Sequence, residues 1–179
     1  MKGFSESNIS SQNLMKSSVQ RNIKTQILTR YPNLENFIED IFPKKGTLSL
    51  GKCTNHVNVI IGNNEILFFQ IRTGPWIPNL KLLHKYSFMM PQMQVDKGAI
   101  KHVLRGSNIM CPGVTSPGGK LDEVDANTVV QIRAEGKQYA CAIGITTMST
   151  KEILEINKDI CIENVHYIND GLWNCKLGD

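Results

Sequence analysis

The sequence lacks most of the features that announce a chemistry. No run approaches the ~18 consecutive apolar residues of a membrane helix, so no membrane partner is expected. The opening Met1-Lys2-Gly3-Phe4-Ser5-Glu6-Ser7-Asn8 has no apolar core of signal-peptide type, which makes a cytoplasmic location the default expectation. The five cysteines (Cys53, Cys111, Cys141, Cys161, Cys175) are odd in number, and none forms a Cys-x-x-Cys pair. That argues against a disulfide framework and against a four-thiolate zinc site. Cys53-x-x-His56 and Cys161 with His166 offer two ligands each and are taken as ordinary core or surface groups. There is no Gly-x-x-x-x-Gly-Lys-Ser/Thr loop, no Gly-x-Gly-x-x-Gly turn, no Gly-x-Ser-x-Gly elbow and no His-Glu-x-x-His helix. His56, His84, His102 and His166 are scattered, and Asp122-Glu123-x-Asp125 has the character of a solvated acidic loop. No catalytic residue, metal site or cofactor is expected.

What remains is an ordinary globular chain. Its 179 residues are 41% hydrophobic and 20% charged, enough for one domain or two small ones. The net charge of +4 is unevenly placed. Residues 1–92 hold eleven Lys/Arg against five Asp/Glu, and residues 93–179 hold nine against eleven. A basic first half suits an anionic partner, on charge alone RNA or a membrane surface, or serves only to keep a small domain soluble.

Along the chain, residues 1–10 are polar and are expected to form a loose arm. Met15, Val19, Ile23 and Ile27 then recur at helical spacing until Tyr31-Pro32 ends the helix. Leu34, Phe37, Ile38, Ile41 and Phe42 predict a second helix, stopped by Pro43. A strand around Leu48 and Leu50 precedes a hairpin, 56–61 with 66–72, around Gly62-Asn63-Asn64-Glu65. Of Phe68-Phe69, one is expected in the core. Asn79 is placed to cap a short helix carrying Leu80, Leu82 and Leu83. Pro91 marks a break, which divides the chain into 1–92 and 93–179. The second part opens with a helix whose stripe is Ile100, Val103 and Leu104, capped by Gly106. Short strands follow, with a capping box at Ser149-Thr150-Lys151-Glu152 and Trp173 expected in the core. This is an α+β chain, a small α+β domain followed by a small mixed barrel or sandwich.

Lys97 to Gly113 is the most informative stretch. Lys97, Lys101 and Arg105 are spaced by four and fall on one helical face, next to expected glycine turns at Gly106 and Gly113. A bare glycine lets a sugar–phosphate backbone come close, and cations beside it neutralise phosphate and release counterions. The plainer reading is a solvated helix face with an ordinary cap. Lys44, Lys45, Arg72, Lys81 and Lys85 form a second candidate basic surface. Trp76 stands among them, either as a stacking platform or as a core residue pinned by its prolines.

Two sets of motifs carry a resemblance. Gly98-Ala99-Ile100-Lys101-His102-Val103-Leu104-Arg105-Gly106 through Ile109-Met110-Cys111-Pro112-Gly113-Val114, with the hairpin Ala134–Ala140, resembles a PUA domain, the RNA-binding module of pseudouridine synthases and archaeosine transglycosylases. Pro78–Tyr86, Gln94–Lys101, Thr115-Ser116-Pro117-Gly118 and Ile162–Trp173 together resemble the malignant T-cell-amplified sequence family over nearly the whole chain after about Ser17. The resemblance implies a family-specific pre-PUA domain before a PUA pseudo-barrel, and no catalysis. It implies a density-regulated-protein-like partner and binding to the small ribosomal subunit, with roles in reinitiation, non-standard initiation and tRNA release during recycling. Lys97, Gly98, Lys101, Gly106, Pro112 and Gly113 match the module's groove, which the family places near the tRNA acceptor end. The basic first half would then face small-subunit ribosomal RNA. Arg105 and His102 depart from the pattern, since relatives often carry an uncharged residue at the first and a large apolar one at the second. The alternative function is that of a PUA-containing RNA-modification or ribosome-assembly protein.

Overall fold

A computed structural model describes residues 1–178. The first half comprises β1 (Ile9–Leu14), α1 (Ser17–Arg30), α2 (Ile38–Ile41), β2 (Leu48–Cys53), β3 (Val57–Gly62), β4 (Glu65–Ile71), β5 (Ile77–Pro78) and α3 (Leu80–Lys85). Its strands form one sheet in chain order, with every neighbouring pair antiparallel. The β3–β4 turn places Asn63 and Asn64 at φ 51° and 61°, the left-handed pair that matches the twist of the flanking strands. α1 buries Ile23 and Ile27, and its last turn closes with Tyr31 N–H on the Ile27 carbonyl before Pro32.

Three expectations for this half change. The loose arm is ordered, because β1 pairs with β2 from Ile9 to Leu14 and Phe4 is buried. The predicted second helix is a 3-10 turn (Pro32–Leu34) followed by the single turn of α2. Phe37 leaves the helical region at φ −120° and is exposed, although Leu34, Ile38, Ile41 and Phe42 are buried as their spacing required. Phe68 and Phe69 are both fully buried. Phe68 stacks on Phe42 at 5.8 Å, and Phe69 meets the edge of His166 at 5.8 Å, from the other half of the chain. The sheet is thus covered on both faces at β3 and β4, which removes the alternation expected of a strand with one wet face.

The second half comprises β6 (Gln92–Val95), α4 (Lys97–Val103), β7 (Ile109–Met110), α5 (Cys111–Thr115), β8 (Lys120–Leu121), β9 (Val129–Ala134), β10 (Ala140–Thr146), α6 (Thr150–Ile156), β11 (Ile160–Tyr167) and α7 (Gly171–Asn174). Six strands in the order β7-β11-β10-β9-β6-β8 form a mixed sheet that curls into a half-barrel, with β6 and β9 parallel. Met93, Val95, Val103, Ile109, Val130, Ile132, Ala142 and Ile153 fill it. The capping box holds, with Ser149 and Glu152 each accepting from the other's backbone N–H. At Gly144 the β10–β11 register shifts, and a Cβ there would lie 2.5 Å from the Glu163 carbonyl oxygen. Gly144 is therefore needed for the close approach of β10 and β11.

The halves are welded rather than tethered. Val129, Ala140, Ile143 and Leu172 belong to the same core as Ile27, Phe69 and Leu83. Fully buried His166 receives the Leu80 N–H at Nε2 (3.0 Å) and donates from Nδ1 to Asp170 (2.7 Å). An acceptor at Nε2 fixes the ring as the neutral Nδ1–H tautomer. Burial lowers the His166 pKa, opposed by Asp170. Gln131, also fully buried, donates to the Ser87 and Met90 carbonyls and so holds the connection between the halves.

Candidate nucleic-acid interface

α4 begins where Asp96 accepts from the Ala99 N–H (2.9 Å) and the Glu135 carboxylate accepts from the Lys97 N–H (3.2 Å). Both acids sit at the positive end of the helix dipole. The helix runs only to Val103. Lys97 and Lys101, one turn apart, therefore share a face as their spacing requires, whereas Arg105 lies past the helix end in a turn that closes on the His102 carbonyl. The expected apolar stripe also thins, since Val103 is buried, Ile100 half-buried and Leu104 exposed.

Gly106 adopts φ +90°, as its capping position predicts, and a Cβ there would lie 2.9 Å from the Tyr167 ring. The turn is clamped from β11, where the Asn164 amide donates to the Val103 and Ser107 carbonyls, both at 3.1 Å. Gly113 is not the turn that Pro-Gly suggested. It lies inside α5, whose first turn holds Pro112 at a position where a missing N–H costs little. A Cβ at Gly113 would make only ordinary contacts, 3.6 Å from Ile109 and 3.7 Å from Ala99, and the Gly113 carbonyl accepts the Asp96 N–H. Gly106 thus marks one end of α4 and Gly113 the other.

None of the predicted groove residues is sealed. Lys97, Gly98, Lys101, Arg105 and Pro112 are exposed, and Gly106 and Gly113 are half-buried. Among the described residues, Lys24 with Glu39 is the only Lys or Arg ion pair within 4.0 Å. The α4 cations therefore present their charge to solvent. Glu135, which the sequence reading did not place here, adds one negative charge at the α4 N-terminus.

The second basic surface divides. Lys81 and Lys85 lie one turn apart on α3 and line a groove with Asn64 and Lys176. Lys85 also borders a neighbouring groove edged by Pro43 and Gly46, beside exposed Lys44 and Lys45. Arg72 stands beyond the opposite end of β4, in a shallow recess with Lys52 and His56. Trp76 is a core residue at 6% exposure, with its indole N–H on Gln26 and its carbonyl accepting the Tyr31 hydroxyl. Trp173, expected in the core, is half-buried instead, and the Lys81 ammonium sits 5.2 Å above its ring. Asp122 accepts the Gln92 N–H, a structural role for the acidic loop. Among the described residues no helix is long and apolar enough to cross a membrane.

Family models agree with this architecture. A pre-PUA-like domain matches residues 4–86 and a PUA domain residues 91–168. The chain is 50% identical over 169 residues to malignant T-cell-amplified sequence 1 of Danio rerio, covering 94% of this chain and 93% of that one. It is 51% identical over 174 residues to the Dictyostelium discoideum homologue, covering 97% and 93%. A protein of Pyrococcus horikoshii described as hypothetical shares the fold, with a TM-score of 0.73 at 22% identity, covering 91% of this chain and 98% of that one. On this sequence identity and this order of domains, the chain belongs to the malignant T-cell-amplified sequence family and is a PUA protein, its second half a module of the RNA-binding class.

Proposed function

We propose that this protein is a non-enzymatic translation factor that holds RNA without altering it. In this reading it acts on the small ribosomal subunit with a density-regulated-protein-like partner, in reinitiation, non-standard initiation and release of tRNA during recycling. Residues 1–92 and 93–179 are its two domains. The α4 edge takes a tRNA acceptor end, and the cations of the first half face ribosomal RNA. Family membership supports the translational role. The observation that carries the RNA reading is the α4 edge itself, where Lys97, Lys101 and Arg105 stand unpaired and exposed between Gly106 and Gly113. Backbone contacts of this kind fix position and read shape more than sequence.

The test is Lys97→Ala/Lys101→Ala/Arg105→Ala. Three lost phosphate contacts on single-stranded RNA lower the slope of log K against log salt by about 2. Thermal stability should move little, because all three side chains are exposed. RNA affinity and salt slope equal to wild type would remove the α4 edge from the proposal.

A further inference from the structure

We infer that the seam between the two halves carries a base-stacking site for single-stranded RNA, centred on Tyr139; this deepens the RNA reading above and rests on it. Tyr139 closes the β9–β10 hairpin and is 51% exposed. Beneath it lies a ledge built from three elements. The Tyr139 ring packs on His84 of α3, with centroids 5.4 Å apart. His84 in turn meets Trp173 of α7 at 5.7 Å. The imidazole is tied down by its Nε2–H, which donates to the Ala140 carbonyl at 2.8 Å. The Tyr139 ring thus leans, tilted by 48°, on an anchored ring, and little order has to be created when a flat ligand covers its exposed surface.

The surroundings choose the ligand. The Lys81 ammonium lies over Trp173, Lys85 follows one turn later on the same helix, and exposed Lys137 precedes Tyr139 on the hairpin. Protein interfaces are depleted in lysine and place their aromatic anchors in fully desolvated pockets, whereas an exposed aromatic among lysines matches a strand whose bases stack while its phosphates meet cations. Only unpaired bases offer a free face, so duplex RNA does not fit. The hairpin also joins the two basic surfaces. Glu135 at its start touches the α4 N-terminus, and Tyr139 at its end touches α3. A strand leaving the α4 edge across this hairpin meets Tyr139 before it reaches Lys81 and Lys85.

The experiment is fluorescence anisotropy on the full chain at low salt, with an unstructured single-stranded RNA of about twelve nucleotides and a duplex of the same length. Tyr139→Ala should weaken single-strand binding by about 5- to 100-fold, with salt slope and duplex affinity unchanged. Tyr139→Phe keeps the ring and should stay within about twofold of wild type. Equal single-strand affinity for Tyr139→Ala and wild type would overturn the stacking site while leaving the RNA reading intact, provided the α4 triple alanine variant binds more weakly. Equal losses for single strand and duplex would also overturn it. A wild-type chain that binds neither RNA would remove the RNA reading and this site together.

Discussion

The weld at His166 yields a prediction with two readouts. In His166→Ala the Leu80 N–H loses its acceptor inside the protein, a loss of about 1–3 kcal/mol. Removing a fully buried ring adds a cavity between the Phe69 edge and β11. Asp170 keeps the Tyr167 and Trp173 N–H groups, so its carboxylate is weakened rather than stranded. The combined cost is about 3–5 kcal/mol. For a chain of this size that corresponds to roughly 6–20 °C in Tm. The Leu80 amide should also lose hydrogen-exchange protection well beyond the general loss. The second readout is pH. Burial lowers the His166 pKa below its ordinary 6.5, so below that pH the unfolded chain takes up a proton that the folded chain refuses. The contribution is complete above about pH 6.5 and declines as pH falls toward the folded value, with a slope of up to about 1.4 kcal/mol per pH unit. Denaturant melts from pH 7 to 5 on wild type and variant should differ by this component, with the variant losing less on acidification. Destabilisation below about 1 kcal/mol, or parallel pH profiles, would refute the reasoning.

Two further outcomes follow from packing. Gly106→Ala puts a Cβ at φ +90° and 2.9 Å from the Tyr167 ring, so denaturant unfolding should show a loss of about 1–3 kcal/mol, and wild-type stability would contradict the close packing. Gln131→Leu strands the Ser87 and Met90 carbonyls, which should lower stability by about 2–4 kcal/mol in the same assay; an unchanged midpoint would mean that water replaces the amide.

Elements whose causes are local were legible in the sequence. The α1 stripe at Ile23 and Ile27, the Asn63-Asn64 turn, the Asn79 cap and the Ser149–Glu152 box depend on neighbours within a few residues, and all appear. Elements made by distant partners were not. β1 exposes five of its six residues, so no alternation marks it, and backbone pairing with β2 alone makes it a strand. Pro112-Gly113 satisfies a turn and a helix start equally well, and in the structure it lies in a helical turn whose Gly113 carbonyl takes the distant Asp96 N–H.

The candidate site divides in the same way. Lys97 and Lys101 share a face because helical geometry puts residues four apart together, and Gly106 is a glycine because the chain reverses there. Those features belong to the sequence by itself, as does the family resemblance carried by its ordered motifs. The tertiary structure decided that Arg105 falls past the helix end, that Arg72 stands far from Lys81 and Lys85, and that Glu135 enters the α4 N-terminus. It also brought Tyr139, His84 and Trp173 into one cluster from three elements. The physical reason is range: caps, stripes and turns are settled by contacts a few residues apart, whereas charge clustering and ring stacking depend on which distant elements the shared core draws together.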